Sequence, residues 1–134
     1  MRVDLAIVGG GPAGSAAAIT AARAGMSVLL VDKATFPRDK CCGDGLTAEA
    51  LRLGEGLGLD PSPIEGWQEV EDLVIHPPGG RSTRYPLPRG NGLYAAVVPR
   101  MQYDAALLDL ARSAGAEVRD GHGLTGITME GHAA

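Results

Sequence analysis

The chain has 134 residues, of which 45% are hydrophobic and 21% charged, so it is long and apolar enough to bury the core of one modest domain. Its 12 basic and 16 acidic side chains give a net charge of −4 at pH 7, and no run of Lys or Arg forms the basic stripe needed to bind a phosphate backbone. These properties exclude a compositionally disordered chain and argue against nucleic acid as a partner.

The two cysteines, Cys41 and Cys42, are adjacent, and a disulfide between neighbours would distort the peptide between them and close no loop. We therefore expect free thiols in a reducing compartment. The N-terminal residues lack the features of a secretory signal, and no apolar stretch approaches the ~18 residues of a membrane-spanning helix. The histidines lack metal-ligand spacing, so no metal site is predicted. The sequence predicts a cytoplasmic protein and leaves open both its oligomeric state and contact with the inner face of a membrane.

The first part of the chain predicts a strand, a helix and a second strand. Val3 to Val8 is a short apolar run followed by glycines, which is typical of a strand buried on both faces of a parallel sheet. Ala13 to Ala24 is rich in good helix formers, and Gly25 follows where a left-handed C-terminal cap belongs. Ser27 to Val31 is again aliphatic. Together these segments predict the βαβ unit of an α/β domain.

The middle of the chain is less regular. The stretch FPRDKCCGDGL, residues 36–46, has no apolar periodicity and indicates either a functional loop or disorder. A short helix is predicted over Thr47–Leu53, with its first residue as the N-cap. Val70–His76 and Arg81–Leu87 flank the turn sequence PPGG and predict an antiparallel hairpin, and Leu93–Val98 predicts a third strand in this region.

The last part of the chain predicts a helix followed by two short strands. Met101–Ala114 has apolar residues at helical spacing, and Gly115 ends the pattern. Ala116–Arg119 and Gly123–Met129 are the two strand candidates. A βαβ start is thus interrupted by antiparallel strands before another helix and strand complete the pattern.

A glycine motif lies between the first predicted strand and helix. Gly9, Gly11 and Gly14 give the spacing G-x-G-x-x-G, in which the glycines permit a tight turn, approach of the backbone to a pyrophosphate, and close strand–helix packing. The helix N-terminus then faces an anion with unpaired N–H groups. Asp32 ends the second strand about 20 residues later, where a carboxylate can bind an adenosine ribose. The alternative is a glycine-tolerant turn and a solvated Asp, but the order of the features predicts a dinucleotide site.

Two separated segments resemble one family. IVGGGPAGSAAAITAARAGMSVLLVDKATFPRDKCCGDGLT, residues 7–47, and VVPRMQYDAALLDLARSAGAEVRDG, residues 97–121, resemble the FAD-dependent geranylgeranyl reductase family, within the aromatic-hydroxylase-like, monooxygenase-like flavoproteins. The second segment follows the family pattern R-x-x-x-D-x-x-L-x-x-x-A-x-x-x-G-A. Among members, the chain looks most similar to the bacterial reductases that saturate a double bond in the isoprenoid tail of menaquinone.

The resemblance implies a Rossmann-like FAD-binding βαβ fold with the start of an antiparallel substrate-domain sheet. Residues 1–134 would form a partial FAD-binding domain, residues 68–99 would supply strands of the substrate-domain sheet, and the C-terminal remainder of the family would be absent. We therefore expect these 134 residues on their own to bind FAD weakly or not at all.

The resemblance also implies a set of FAD-binding positions. These are Gly9, Gly11, Pro12, Ala13, Gly14, Asp32, Lys33, Arg38, Cys42, Gly43, Gly45, Arg100 and Leu124. Arg38 would lie beside the cofactor, Arg100 would neutralise cofactor oxygens, and Leu124 would lie on a strand beside the adenine. The alternative for Arg38 is a solvated loop charge. Cys42 is the candidate catalytic, flavin-facing thiol.

The activity implied is that of an FAD-dependent oxidoreductase. A reduced flavin would deliver hydride to one carbon of an isoprenoid double bond while an acid protonates the other, in a polyprenyl lipid or quinone such as menaquinone or a geranylgeranyl group. NADPH or another reductant would be the electron donor. The alternatives are an FAD-dependent aromatic hydroxylase or halogenase of the same fold, and a non-catalytic nucleotide-binding module.

Overall fold

The computed structural model of the chain describes residues 2–87, 94–129 and 131. Within these residues the helices and strands follow one another in the order β1 (Leu5–Val8), α1 (Pro12–Arg23), β2 (Val28–Val31), β3 (Gly45–Leu46), α2 (Ala48–Gly56), β4 (Gln68–Val70), β5 (Asp72–Ile75), β6 (Thr83–Pro86), β7 (Ala95–Val97), α3 (Arg100–Ser113) and β8 (Glu117–Arg119). No helix of this described part has the length and hydropathy needed to cross a membrane.

A three-stranded parallel sheet in the order β1-β2-β8 organises the first and last parts of the chain. Leu5 lies opposite Val28 at the start of the β1–β2 pair, and Leu30 lies opposite Val118 in the β2–β8 pair. Helix α1 connects the parallel strands β1 and β2, as the sequence predicts. The predicted βαβ unit is therefore confirmed, with β2 as the central strand.

Helices α1 and α3 pack against each other and against the sheet. Ala18 and Ile19 of α1, Leu30 of β2 and Leu108 of α3 are all fully buried in this core. Burial of each large aliphatic side chain stabilises the fold by about 1.5–3 kcal/mol. The prediction that the first strand is buried on both faces is wrong, because Val8 is 60% exposed and the helices cover only one face of β1.

Antiparallel strands lie between the two halves of the parallel unit. Strand β7 pairs with β3 and β4 in one sheet, and β5 pairs with β6 in a separate two-stranded ribbon. The predicted strand Val70–His76 is therefore divided, since Val70 pairs with Ala95 whereas Asp72 pairs with Pro86. A second apolar cluster, which includes Ile64, joins the strands to α3.

Other sequence predictions have mixed outcomes. The Thr47 hydroxyl caps α2 by accepting a hydrogen bond from the Ala50 N–H at 3.3 Å, as predicted, but the helix continues to Gly56. Gly25 and Gly115 adopt the predicted left-handed conformation, with φ of +84° and +103°. Part of the predicted strand Leu93–Val98 is β7, although Leu93 itself lies outside the described residues.

The predicted strand Gly123–Met129 is wrong. This segment follows β8 at the edge of the parallel sheet, and none of its residues is in a strand. Its apolar side chains are largely in solvent, with Leu124 52% and Ile127 70% exposed. A strand needs a neighbouring backbone to satisfy its N–H and C=O groups, and no described strand pairs with this segment.

Candidate functional site

The glycine loop connects β1 to α1 in a conformation that depends on the absence of a Cβ at Gly9 and Gly14. Gly9 has φ of +106° and donates its N–H to the Val31 carbonyl at 2.7 Å. A Cβ on Gly14 would overlap the Gly9 carbonyl oxygen, so the helix approaches the loop as the motif predicts. Gly10, an unassigned position of the motif, is also tightly packed, because its Cβ would lie 3.1 Å from Cδ1 of Leu108 and that side chain would have to shift.

No side chain of the described residues caps the N-terminus of α1. Gly11 is the N-cap, Pro12 and Ala13 follow it, and the first turn of the helix contains no acidic residue. The first N–H groups of a helix and its dipole attract an anion to this end. This end of α1 is therefore available to a phosphate group.

Asp32 lies at the end of β2 beside the glycine loop. Its Oδ2 accepts a hydrogen bond from the Gly10 N–H at 2.7 Å, and its Oδ1 accepts one from the Ala34 N–H at 2.8 Å. These bonds fix the carboxylate, and each oxygen keeps a further lone pair for a hydroxyl. A cavity of about 370 Å³ opens here and is lined by Val8, Gly9, Asp32, Lys33, Gly123 and Leu124.

The structure brings the predicted residues Gly9, Asp32, Lys33 and Leu124 around this one cavity. Leu124 reaches it from an irregular segment and not from the strand that the sequence predicts. The size of the cavity and the fixed carboxylate suit a nucleoside whose hydroxyls bind Asp32.

The segment 36–46 is ordered and anchored near both ends. The Phe36 N–H donates to Oδ2 of Asp120 at 3.0 Å, and residues 45 and 46 pair with β7 as strand β3. Asp44 has a positive φ of +56°, its carbonyl accepts from the Val98 N–H at 3.0 Å, and its Oδ1 accepts from the Arg100 N–H at 3.3 Å. Of the two alternatives left by the sequence, the segment is therefore a structured loop.

A buried carboxylate holds two arginines beside the glycine loop. Asp104 of α3 is 0% exposed, and its Oδ1 and Oδ2 accept from Nε and Nη2 of Arg100 at 2.6 and 2.8 Å. Nη2 of Arg38 lies 3.1 Å from Oδ2 of the same carboxylate, and its guanidinium stacks 4.7 Å from the Phe36 ring centroid. Two cations share one anion, so the cluster carries a net positive charge.

Both guanidinium groups of this cluster lie beside Gly11, the second glycine of the motif. A Cβ on Gly11 would lie 3.7 Å from Nη2 of Arg38 and 3.9 Å from Nη2 of Arg100. Nη1 of Arg38 is buried and has no hydrogen-bond partner among the described residues. Arg38 is therefore not a solvated loop charge, and an anion at Gly11 would meet both guanidinium groups and the N-terminus of α1.

Asp104 is a site residue to which no role was assigned from the sequence, although it is the D of the family pattern R-x-x-x-D. The signal that could have identified it is its position four residues after Arg100, on a helix face shared with the buried Tyr103 and Leu107. A charged residue on an apolar helix face is expected to have a partner, because an unpaired buried carboxylate is costly.

Cys42 lies next to this cluster. The Asp44 backbone N–H and then the Arg100 guanidinium lower the pKa of the Cys42 thiol, although both Cys41 and Cys42 are exposed free thiols. Hydrogen bonding to Asp104 is the main cause that raises the pKa of Arg100, which therefore stays charged. No atom of the described residues lies within 4 Å of the Cβ position of Gly43, so these residues leave space beside the thiol open. Gly45 is nearly as open, with one atom at 3.9 Å.

The residues present fit a dinucleotide. The cavity at Asp32 suits the nucleoside, while the charged cluster and the N-terminus of α1 suit its phosphates. In residues 2–87, 94–129 and 131, no group of three His, Cys, Asp or Glu side chains could hold a metal ion.

Comparison with known proteins agrees with this geometry. Residues 4–55 match the family model of FAD dependent oxidoreductases. A menaquinone reductase of Mycolicibacterium smegmatis is 39% identical over 96% of this chain and 31% of its own length. The structure of the myxobacterial FAD-dependent chondrochloren halogenase is similar with a TM-score of 0.84 and 28% identity, over 96% of this chain and 31% of that protein.

A third relative is a geranylgeranyl bacteriochlorophyll reductase-like protein from Thermoplasma acidophilum. Its structure gives a TM-score of 0.80 and 31% identity over 96% of this chain and 32% of that protein. The present chain thus spans about a third of the length of each of these proteins.

Proposed function

The chain is a relative of the FAD-dependent oxidoreductases, and we propose that it contributes the ADP-binding part of the FAD site in an enzyme that reduces an isoprenoid double bond. The likeness to solved relatives confirms the predicted Rossmann-like FAD-binding fold, and the family match indicates FAD as the cofactor. The observation that carries the proposal is the pair of guanidinium groups held beside Gly11 at the uncapped N-terminus of α1.

We assign the pyrophosphate of FAD to the glycine loop and the charged cluster. Gly9, Gly11 and Gly14 would let the backbone approach it, with Pro12 and Ala13 at the start of α1. Arg38 and Arg100 would donate charge-assisted hydrogen bonds to its oxygens. These positions combine the positive end of a helix with two fixed cations, an arrangement that suits two adjacent phosphates.

We assign the adenosine of FAD to the cavity at the end of β2. Asp32 would accept hydrogen bonds from the ribose, and Lys33 and Leu124 would line the space for the base. Cys42, Gly43 and Gly45 would run along the rest of the cofactor, where open space permits close approach.

FAD, when bound, supplies hydride-transfer chemistry. The role proposed for Cys42 is that of a thiol facing the flavin. Its Sγ holds a proton less tightly than an ordinary cysteine, because the Asp44 N–H and the Arg100 guanidinium stabilise the thiolate. Replacing Cys42 by Ser should alter flavin content or alkene reduction in a protein that includes the remaining length of the relatives, whereas Cys41→Ser should not. Equal behaviour of the two variants would remove Cys42 from the proposal.

A polyprenyl lipid or quinone is the proposed substrate class. The 39% identity with a menaquinone reductase supports this assignment. We also propose that residues 68–99 contribute to a substrate-domain sheet. Leu73, Ile75 and Tyr85 of the β5–β6 ribbon are 52%, 48% and 50% exposed, and apolar side chains in a two-stranded ribbon need further structure to cover them.

A halogenase of the same fold is the second candidate. The structural likeness to chondrochloren halogenase supports it, with a TM-score of 0.84. The two candidates share the cofactor and differ in the reaction, so the discriminating assay is conversion of a polyprenyl quinone to its dihydro form against incorporation of halide. A protein containing the remaining length of the relatives should give the first product. Incorporation of halide would refute the reductase assignment.

The cofactor proposal can be tested on the chain itself. Thermal unfolding is followed with millimolar ADP, FAD, NAD or adenosine, because only a ligand that prefers the folded state raises the midpoint. We expect ADP and FAD to raise it, with FAD bound too weakly to co-purify. A response to NAD without one to FAD would indicate a different cofactor, and no response to ADP or FAD would refute the site. Flavin purified in stoichiometric amount would contradict the expected weak binding.

A further inference from the structure

The charged cluster of Arg38, Arg100 and Asp104 holds its two arginine side chains in a more defined position than they would have without the carboxylate. Arginine side chains carry about 2 kcal/mol of rotamer entropy, so two neighbouring guanidinium groups on a loop and a helix would ordinarily sample many positions and repel each other. Here Arg100 is fixed by two parallel hydrogen bonds to Asp104, and Arg38 by a third contact to the same carboxylate.

Asp104 is well placed to impose this order. It lies one turn inside α3, is fully buried, and is flanked in sequence by the buried Tyr103. Helix α3 packs on α1 through the core, so the carboxylate is fixed relative to the glycine loop. The side chains of Arg38 and Arg100 are only 16% and 18% exposed, which leaves them little room to leave the carboxylate.

We propose that Asp104 is a positioning residue, which holds the guanidinium groups of Arg38 and Arg100 in the one arrangement that faces a phosphate at Gly11. This inference rests on the proposed FAD site for its ligand. Asp104 itself would touch no phosphate, since like charges repel. Its effect would pass through the two arginines.

A positioning role and a purely electrostatic one predict opposite results. Asp104 lowers the net charge of the cluster by one, so by Coulomb's law its removal alone would strengthen the binding of an anion. If Asp104 instead orients the arginines, Asp104→Asn should weaken binding, because the amide has an N–H₂ group that cannot accept from a guanidinium. The sign of the change therefore separates the two explanations.

The first arm measures the affinities of ADP and adenosine by calorimetry for the wild-type chain and Asp104→Asn. We expect at least about a tenfold loss for ADP, the equivalent of one charge-assisted hydrogen bond, and less than about a twofold change for adenosine. Asp109→Asn is the matched control, since Asp109 lies on the same helix, pairs with Arg112 and is 72% exposed. It should leave both affinities unchanged.

The second arm needs no cofactor. The charged groups facing the Cys42 thiol are Arg100 and Asp44, and the guanidinium lowers the pKa of that thiol. In a Cys41→Ser background, the pH dependence of alkylation reports Cys42 alone. If Asp104 holds Arg100 in place, Asp104→Asn should raise the pKa of the thiol. If Asp104 acts only through its charge, its removal should lower that pKa.

A double variant covers the case in which Asp104→Asn does not fold. Arg38→Met with Asp104→Asn restores the wild-type net charge and removes the repulsion between the arginines, and circular dichroism verifies that it folds. A Cys42 pKa above the wild-type value in this variant supports positioning. A Cys42 pKa equal to the wild-type value, or tighter binding of ADP by Asp104→Asn, overturns it. Failure of the wild-type chain to bind ADP would refute the proposed function, whereas the thiol measurement would still decide the role of Asp104.

Discussion

Replacing Gly11 with alanine should separate anion binding from the stability of the fold. Gly11 has φ of −76° and ψ of −176°, which alanine adopts without strain. The new Cβ would lie 3.7 Å from Nη2 of Arg38 and 3.9 Å from Nη2 of Arg100, which are ordinary van der Waals distances. The remaining cost is that of alanine as an N-cap, so we expect a loss of no more than about 1 kcal/mol in the free energy of unfolding.

The same methyl group would occupy the space that a phosphate oxygen needs. A phosphate oxygen that accepts hydrogen bonds from both guanidinium groups would lie about 2.7–2.9 Å from each donor nitrogen. The methyl group, at 3.7 and 3.9 Å from the same nitrogens, would leave too little room for that oxygen. Loss of one charge-assisted hydrogen bond costs about 1.5–3 kcal/mol, which corresponds to a fall in ADP affinity of roughly 10- to 150-fold. Adenosine has no phosphate, so its affinity should not change.

Titration calorimetry with ADP and adenosine, together with urea unfolding, measures both effects in Gly11→Ala. Gly56→Ala is the control, because Gly56 belongs to α2 and its Cβ position has no neighbour within 4 Å in the part of the chain that the structure describes. A Gly11→Ala protein that keeps wild-type stability and binds ADP within about twofold of wild type would refute the placement of the phosphate.

Two further predictions concern stability. Gly14→Ala should lower the free energy of unfolding by about 1–3 kcal/mol or more, because the new Cβ would overlap the Gly9 carbonyl. Calorimetry should show a lower Tm for this variant, whereas Gly56→Ala should be neutral or stabilising. A Tm of Gly14→Ala as high as that of Gly56→Ala would contradict the close approach of α1 to the loop. The Phe36 N–H is the main cause that lowers the pKa of Asp120, so the stabilising effect of that carboxylate is complete above the unfolded pKa of about 3.9 and is lost as pH falls through the lower folded pKa. Asp120→Asn should therefore lower the urea midpoint at pH 6 more than at pH 3, and equal losses at both pH values would show that the charge is not involved.

The sequence predicted the βαβ unit correctly, because this part of the fold depends mainly on residues that are close together in the sequence. The glycine loop, its helix and Asp32 lie within one βαβ unit, and each has a signature of residue type and spacing. Several of the predicted site residues gather in two places. Gly9, Lys33 and Leu124 line the cavity at Asp32, and Arg38 and Arg100 bind Asp104. The sequence did not reveal that Asp104 would join Arg38 to Arg100, because Arg38 belongs to a distant segment without periodicity.

Two of the errors have a common physical origin in the choice of partner strands. The apolar and β-branched residues of 123–129 could form a strand, but no described strand pairs with them. The continuous pattern of Val70–His76 hides a change of partner, since only the folded chain determines that β4 pairs with β7 and β5 with β6. The third error concerns cover and not pairing, because the apolar run of β1 does not reveal that Val8 faces solvent.

The pairing of β2 with β8 also sets an order of events during synthesis. Strand β2 ends at residue 31 and β8 begins at residue 117, so about 86 residues must be added before the central strand gains its second neighbour. At the usual rate of about 5–20 residues per second, this takes roughly 4–17 seconds. For most of that interval Leu108, which shares the core with Ile19, has not yet been added, and a 12-residue helix is only marginally stable alone. The nascent chain therefore exposes the apolar face of α1 for several seconds, in which a chaperone could bind it.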